Sequence, residues 1–411
     1  MPMRAKLVRT NYAEFTLTRA DKLNIDNPMT TVVQVVLDTP VAHPFDYLAA
    51  DATEADIGRR VWVPFGRREQ AGIIFGIASG TTQPATRMKA VSTIDRKLPP
   101  LSDDVMSLAR FASGYYQHPF GTTLLSLLPP ALKRHNFRSP EPAAWCLTES
   151  GETHAATIPA RATAQRRLAE RLRNGPARTE SLADLRTSLR DWLKRGFVAP
   201  CDFSHNTPGE TPPDLNPAQQ AAVDAILAAL PGYGAWLLHG VTGSGKTEVY
   251  MRLIEATLAH GEQALILVPE IHLTPQLTER FRYRFPGKRF VALHSGLADG
   301  ERLAGWLACA DGCADIVLGT RLAVFTPLPR LGLILIDEEH DASYKQMDGL
   351  RYHARDVAVW RARQRGVPIV LGSATPALES WRNTQTGRYR LLGLLERAHD
   401  DAELPSIALI D

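Results

Sequence analysis

The chain has 411 residues, 44% hydrophobic and 22% charged, and 47 Lys and Arg against 44 Asp and Glu leave a formal charge of +3. That length predicts two to four domains, and that composition excludes a disordered chain. The near-balanced charge permits a nucleic-acid partner without requiring one, since a basic face can hide in a balanced total.

Residues 1–29 carry scattered charges and no apolar core, which argues against a secretion signal and for a flexible extension. From Met29 onward, TVVQVVL, RRVWVPF and AGIIFGIA are short runs punctuated by Gly and Pro. They predict a small β-rich domain over 30–138, with a helical tail at DDVMSLARFASGYYQ. Residues 139–203 hold AQRRLAERLRN, TESLADLRTS and LRDWLKRGFVAP, short helices with an extended end. They read as a winged-helix-like α+β module or, equally, as a structural spacer. The Pro-rich stretch 204–217 is a link. Over 218–400 apolar strands alternate with helices, the pattern of a parallel α/β sheet, beginning with a helix that puts Val223, Ile226, Leu227 and Leu230 on one face. No apolar run reaches membrane-spanning length, so no membrane partner is expected and the cytoplasm fits. Cys146, Cys201, Cys309 and Cys313 read as reduced thiols; the last pair lacks the companions a tetrahedral zinc site needs.

The stretch LLHGVTGSGKTEVY, Leu237 to Tyr250, has the spacing of a phosphate-binding loop between a strand and a helix. Gly240, Thr242, Gly243, Ser244, Gly245, Lys246, Thr247 and Glu248 are its candidate nucleotide contacts. Glycines let backbone N–H groups approach phosphate oxygens, Lys246 reaches the β- and γ-phosphates of ATP, and Thr247 completes the shell of Mg²⁺.

Asp337-Glu338-Glu339-His340 follows the apolar run LGLILI, so its carboxylates sit at a strand's C-terminal end. Asp337 suits Mg²⁺ and Glu338 the deprotonation of an attacking water, which makes Lys246, Asp337 and Glu338 the candidate catalytic set. Ser373 and Thr375 in GSATP, with His340, are candidates for coupling this site to a neighbouring domain. Thr274 and Gln276 in VPEIHLTPQ, and Thr320 and Arg321 in LGTRLAVFTP, are candidate contacts to a phosphate backbone.

In this order and spacing, the motifs resemble those of superfamily 2 helicases. More narrowly, VLGTRLAVFTPLPRLGLILIDEEHDASYKQMDGLRYHARD and VPEIHLTPQL resemble the replication-restart, or primosomal, helicases over about residues 30–411. The resemblance implies a multidomain protein with a 3′-end DNA-binding domain at 30–138, a winged-helix-like domain at 139–203 and a RecA-like P-loop helicase lobe at 218–400. It implies an ATP-dependent 3′-to-5′ DNA helicase that recognises abandoned forks and starts primosome assembly. Its implied partners are forked DNA with a nascent 3′ end, single-stranded DNA, single-stranded-DNA-binding protein and other primosome proteins. Gln219 matches a glutamine that contacts adenine. Tyr344, Lys345, Arg351, Tyr352, His353 and Arg355 match an aromatic-rich loop that couples DNA to ATP, although Leu350 stands where some members have an aromatic. Val357, Ala358 and Trp360, just beyond, also read as the buried face of a helix. Phe45, Asp46, Gly66 and Lys89 match a pocket for a 3′ terminus: a ring for the last base, a carboxylate for the 3′-OH, a lysine for phosphate. In this family a second lobe with an ATP-site arginine and zinc-binding cysteines is expected to follow, with 401–411 starting the connection; the zinc ligands are not in this sequence. Two other readings stand beside the helicase: an ATP-binding, fork-binding module that does not unwind, and a P-loop transferase.

Overall fold

The computed structural model describes residues 31–41, 43–78, 88–135, 144–201 and 212–397. The extension at 1–29, most of the Pro-rich link and the stretch 401–411 lie outside the described residues. The chain divides into two compact units, Met1–Pro100 and Leu101–Asp411.

The first unit is built on β1 (Val32–Leu37), β2 (Phe45–Leu48), β3 (Arg60–Phe65), β4 (Arg68–Ala78) and β5 (Thr93–Ile94). They pair antiparallel in the order β2-β1-β4-β3-β5. Side chains alternate faces along a strand, so Val33, Val35 and Leu37 of β1 meet Val61 and Val63 of β3 and Ile74 of β4 in one core. Strands β3 and β4 are joined by a two-residue turn at Gly66 and Arg67, with Gly66 at φ 60°.

In the second unit, α1 (Asp103–Tyr115) starts at the Ser102 hydroxyl, which accepts from Val105 N–H, and is followed by α2 (Phe120–Ser126). The helical tail packs on this side of the division between the compact units. Phe111 of α1 stacks on Trp360 at 4.4 Å and 10°, and Asp104 pairs with Arg361, which is fully buried. Next, β6 (Ala144–Leu147), α3 (Glu149–Ala156), α4 (Thr163–Arg173), β7 (Ala177–Arg178), α5 (Arg186–Lys194) and β8 (Val198–Cys201) close around Trp192, Trp145 and Leu168. Three helices on a sheet of order β7-β6-β8 make the α+β arrangement of a winged helix.

The largest sheet follows from α6 (Pro217–Leu227), β9 (Gly234–Gly240), α7 (Lys246–Ala259), β10 (Gln263–Leu267), α8 (Pro275–Arg284) and β11 (Phe290–Leu293). It continues through α9 (Asp299–Ala310), β12 (Ile316–Gly319), β13 (Leu331–Ile336), α10 (Ala354–Arg365), β14 (Pro368–Ser373), α11 (Leu378–Gln385) and β15 (Arg390–Leu394). The order is β11-β12-β10-β13-β14-β9-β15 and every pairing is parallel. Every residue of β10, β13 and β14 is buried, as expected of strands covered on both faces. In a parallel sheet all C-terminal strand ends emerge along one edge, so the loops carrying the motifs share that edge. Among the described residues, no helix is long and apolar enough to cross a membrane.

Candidate nucleotide-binding site and nucleic-acid surface

Strand β9 delivers Gly240 to the sheet edge, and the chain turns through Gly243 and Gly245 into α7. Both glycines sit at φ 80°, a left-handed conformation that a Cβ would penalise. Lys246 Nζ donates to the Gly240 carbonyl at 2.8 Å and lies 3.8 Å from Glu338 Oε1. The Ser244 hydroxyl is buried without a hydrogen-bonding partner, inside a loop rich in backbone donors. Thr242 and Gly243 form the exposed crest, and Thr247 is half-buried in the first turn of α7. These features fit an anion at a helix N-terminus.

Gln219 is 4% exposed and both ends of its carboxamide are engaged. Its Oε1 accepts from Asn216 N–H, closing a capping box on α6, while Nε2 donates to the Ser244 carbonyl at 2.9 Å. In this state Gln219 braces the phosphate loop. Glu248 is also turned to a structural task. Its carboxylate accepts from buried Arg284 at 2.8 Å and lies 3.2 Å from Arg252, so the expected nucleotide contact by its side chain is corrected to an ion pair within the fold.

At the end of β13, Asp337 Oδ1 accepts from the Tyr250 hydroxyl at 3.1 Å. Burial, with the charge of neighbouring Glu338, pushes the Asp337 carboxyl above the ordinary carboxylate range. That contact depends on Gly372, because a Cβ there would lie 1.6 Å from the Tyr250 hydroxyl oxygen. Glu338 has φ 44°, rare for a residue with a side chain and costly unless its surroundings hold it. His340 Nδ1 lies 2.7 Å from Ser373 Oγ and 3.6 Å from Glu338 Oε2, and its Nε2 lies 3.4 Å from Thr375 Oγ1. The three candidate coupling residues thus form one polar chain running from Glu338. Among the described residues, no group of three or more His, Cys, Asp or Glu could hold a metal ion. A Mg²⁺ needs no such group when it arrives with phosphates, since one or two carboxylates then complete its oxygen shell. Asp337 and the Thr247 hydroxyl are donors of the right kind.

Sequence reasoning missed Glu339. Its carboxylate is fully buried and takes three donors: Arg355 Nη1 at 3.0 Å, Ala377 N–H at 2.7 Å and the Ser380 hydroxyl at 2.7 Å. It ties the ends of β13 and β14 to the starts of α10 and α11. The signal available was a third carboxylate in DEEH.

The nucleic-acid candidates separate into exposed and buried residues. Gln276 and Arg351 are exposed, Lys345 is half-buried, and Thr274 caps α8 by accepting from Leu277 N–H. Arg321 Nη1 donates to the Ser343 carbonyl at 3.1 Å. Tyr344 and Tyr352 correct the expectation of stacking rings: they are 0% and 3% exposed. The Tyr344 hydroxyl donates to the carbonyls of Leu267 and Asp337 at 3.0 and 2.6 Å, fixing the strand end that carries Asp337. Tyr352 packs edge-on against Phe325. Thr320 is buried too, and Arg355 serves Glu339 rather than a phosphate. His353 N–H donates to the Tyr116 hydroxyl, while Val357 and Ala358 are fully buried.

In the first unit, Phe45 meets Phe65 edge-on at 5.2 Å beside the Gly66 turn. The Lys89 carbonyl accepts from Leu48 N–H of β2, and its Nζ reaches the Gly66 carbonyl at 3.5 Å. Asp46 stands opposite Gln34 in the β1–β2 pair. Three of these four candidates, Phe45, Gly66 and Lys89, therefore converge on the β3–β4 turn, and Asp46 adjoins Phe45 in β2.

Comparison with known proteins draws the first boundary further along the chain than the compact units do, and it keeps α1 and α2 with the β-rich part. The PriA 3′ DNA-binding domain (3′BD) model matches residues 34–129, and the DEAD/DEAH box helicase model matches residues 216–384. The chain is similar to the replication restart protein PriA of Haemophilus influenzae, 35% identical over 388 residues, 91% of this chain and 53% of that protein. It is 50% identical over 204 residues to the replication restart protein PriA of Synechocystis, covering 48% of this chain and 24% of that protein. Among solved structures, it is similar to the UvsW helicase of bacteriophage T4, with 18% identity, a TM-score of 0.33, and 51% and 67% of the two chains covered. The chain spans about half the length of the curated relatives that match most of it.

Proposed function

Since the chain belongs to the family of the replication restart protein PriA and carries a helicase domain, we propose that it supplies the ATP-binding lobe and the 3′-end reader of an ATP-dependent 3′-to-5′ DNA helicase that acts at stalled forks. The observation that carries this reading is the meeting of Lys246, Glu338, His340 and Ser373 on one sheet edge, within one chain of contacts. Backbone N–H groups of the Gly243–Thr247 turn and Lys246 bind the β- and γ-phosphates of ATP. Thr247 and Asp337 hold Mg²⁺, which when bound offsets charge developing on the phosphates. Glu338 orients and deprotonates the attacking water, and its unusual backbone conformation aims it out of the strand. His340, Ser373 and Thr375 pass a change at Glu338 to the start of α11. Through Glu339, Arg355 connects the same strand end to the loop 344–353.

In the first unit, Phe45 stacks on the last base of a nascent strand, Asp46 accepts from its 3′-OH, and Lys89 and the Gly66 turn hold the terminal phosphate. Thr274, Gln276, Arg321, Lys345 and Arg351 are the contacts to single-stranded DNA. Single-stranded-DNA-binding protein and other primosome proteins are the partners this reading implies, with the cytoplasm as its place of action.

The test is ATP hydrolysis and strand displacement on a forked substrate, with Glu338→Gln as control. DNA-stimulated turnover that disappears in Glu338→Gln supports the assignment. ATP binding without any fork affinity removes it.

A further inference from the structure

The nucleotide site occupies only part of the sheet's C-terminal edge. At the other part, the loops after β10, β11 and β12 wall a separate cleft of about 560 Å³, within the range of small-ligand pockets. Its apolar walls come from Leu128, Pro129 and Pro130 after α2, Trp306 of α9, Leu322 after β12 and Tyr352. Lys133, Arg302 and Arg321 also line it and outnumber the carboxylates of Glu270 and Asp348. Both guanidinium groups are anchored through one nitrogen to backbone carbonyls, Arg302 to Ser295 and Leu297 and Arg321 to Ser343. Fixed cations beside an apolar slot are arranged for a flat, uncharged ring carried on a charged backbone.

Two further observations point to a ligand. The Tyr352 hydroxyl is buried with no hydrogen-bonding partner although the residue lines the cleft. Large apolar side chains stand exposed on three of the bordering loops, Ile271 at 76%, Leu322 at 46% and Met347 at 70%. A phosphate alone has no use for such walls, and an apolar peptide has none for the cations.

We propose that this cleft receives one unstacked nucleobase of single-stranded DNA, with the flanking phosphates on Arg302 and Arg321 and Trp306 and Leu322 against the base. The inference rests on the reading of this unit as a DNA-engaging helicase lobe and adds to it a base-holding site. It makes grip on the strand depend on the base as well as on the backbone.

The experiment compares a 3′-phosphorylated oligonucleotide of about ten thymidines with the same backbone made abasic, a length within the usual single-strand site sizes. The 3′-phosphate removes the 3′-OH contact of Asp46, and the abasic strand keeps a thymidine at its 3′ terminus so that any stack on Phe45 is common to both strands. Wild-type protein should bind the thymidine strand about tenfold more tightly, the scale of one base–aromatic contact. Trp306→Ala and Leu322→Asn should each bring that ratio close to one, while affinity for the abasic strand and for ATP stays within about twofold. Leu322 is exposed, so its variant reports even where Trp306→Ala fails to fold. A ratio of one in the wild type, or a full ratio in both variants, overturns the cleft but leaves the helicase reading standing. Wild-type protein that binds neither strand overturns both.

Discussion

The nucleotide edge of the second unit and the β3–β4 turn of the first present two ways of holding polar residues in place. At the nucleotide edge nearly every candidate side chain is tied to a buried neighbour: Gln219 to Ser244, Asp337 to Tyr250, His340 to Ser373. In the first unit the candidates sit at a strand end and a turn, with Lys89 and Gly66 exposed and joined by one long contact. Transition-state chemistry needs groups held before the reactants arrive, because orienting them later costs barrier height. Reading a strand end needs only that a few groups can close on it. The first site is therefore expected to fail through loss of its supports, the second through loss of the contacts themselves.

The largest expected effect falls on a support. Glu339→Ala leaves Arg355 buried with only the partly exposed Asp356 carboxylate at 3.2 Å, and breaking a buried ion pair from one side costs about 3–5 kcal/mol. Chemical denaturation should show that loss, and a change below about 1 kcal/mol would mean the three donors are satisfied without Glu339. Next comes Lys246→Ala, expected to weaken ATP binding roughly a hundredfold, the scale of its charge-assisted contacts. Fluorescent-nucleotide titration measures it, and because the first unit is a separate compact body, affinity for 3′-ended forks should hold within about twofold. Equal losses of both in a folded protein would erase the distinction between the sites.

Asp46→Ala probes the other side. Removing one charge-assisted hydrogen bond should narrow the preference for a 3′-OH over a 3′-phosphate by about 1.5–3 kcal/mol, with no change in melting temperature. A preserved preference assigns the reading to another residue. Tyr250→Phe is the smallest: it deletes one hydrogen bond to Asp337, worth about 1 kcal/mol, and should weaken Mg²⁺-dependent more than Mg²⁺-free nucleotide binding. Isothermal titration with and without Mg²⁺ separates the two.

The same contrast explains what could be read from the sequence. The parallel sheet is legible because strand–helix alternation repeats over a long stretch, and the phosphate loop and DEEH because their chemistry demands fixed spacing. Tyr250, Gly372, Glu339 and Arg284 carry no such signature. Their roles depend on which helix lies over which strand, and their partners are 16 to 122 residues away in sequence. Tyr344 and Tyr352 misled for a related reason: a polar loop marks rings as exposed, while packing against Phe325 and the end of β13 decides otherwise. Phe45, Asp46, Gly66 and Lys89 were reached only through resemblance, because HPFDYL read alone is a turn at a strand edge.

The space above Gly372 has a consequence for how this sequence can drift. The Tyr250 hydroxyl occupies the volume where any other residue at 372 would place its first side-chain carbon. The two positions, more than a hundred residues apart, are thus a single compound letter. Alanine at 372 becomes admissible only after position 250 has shortened, and every such route passes through a protein whose Asp337 has lost its phenol partner.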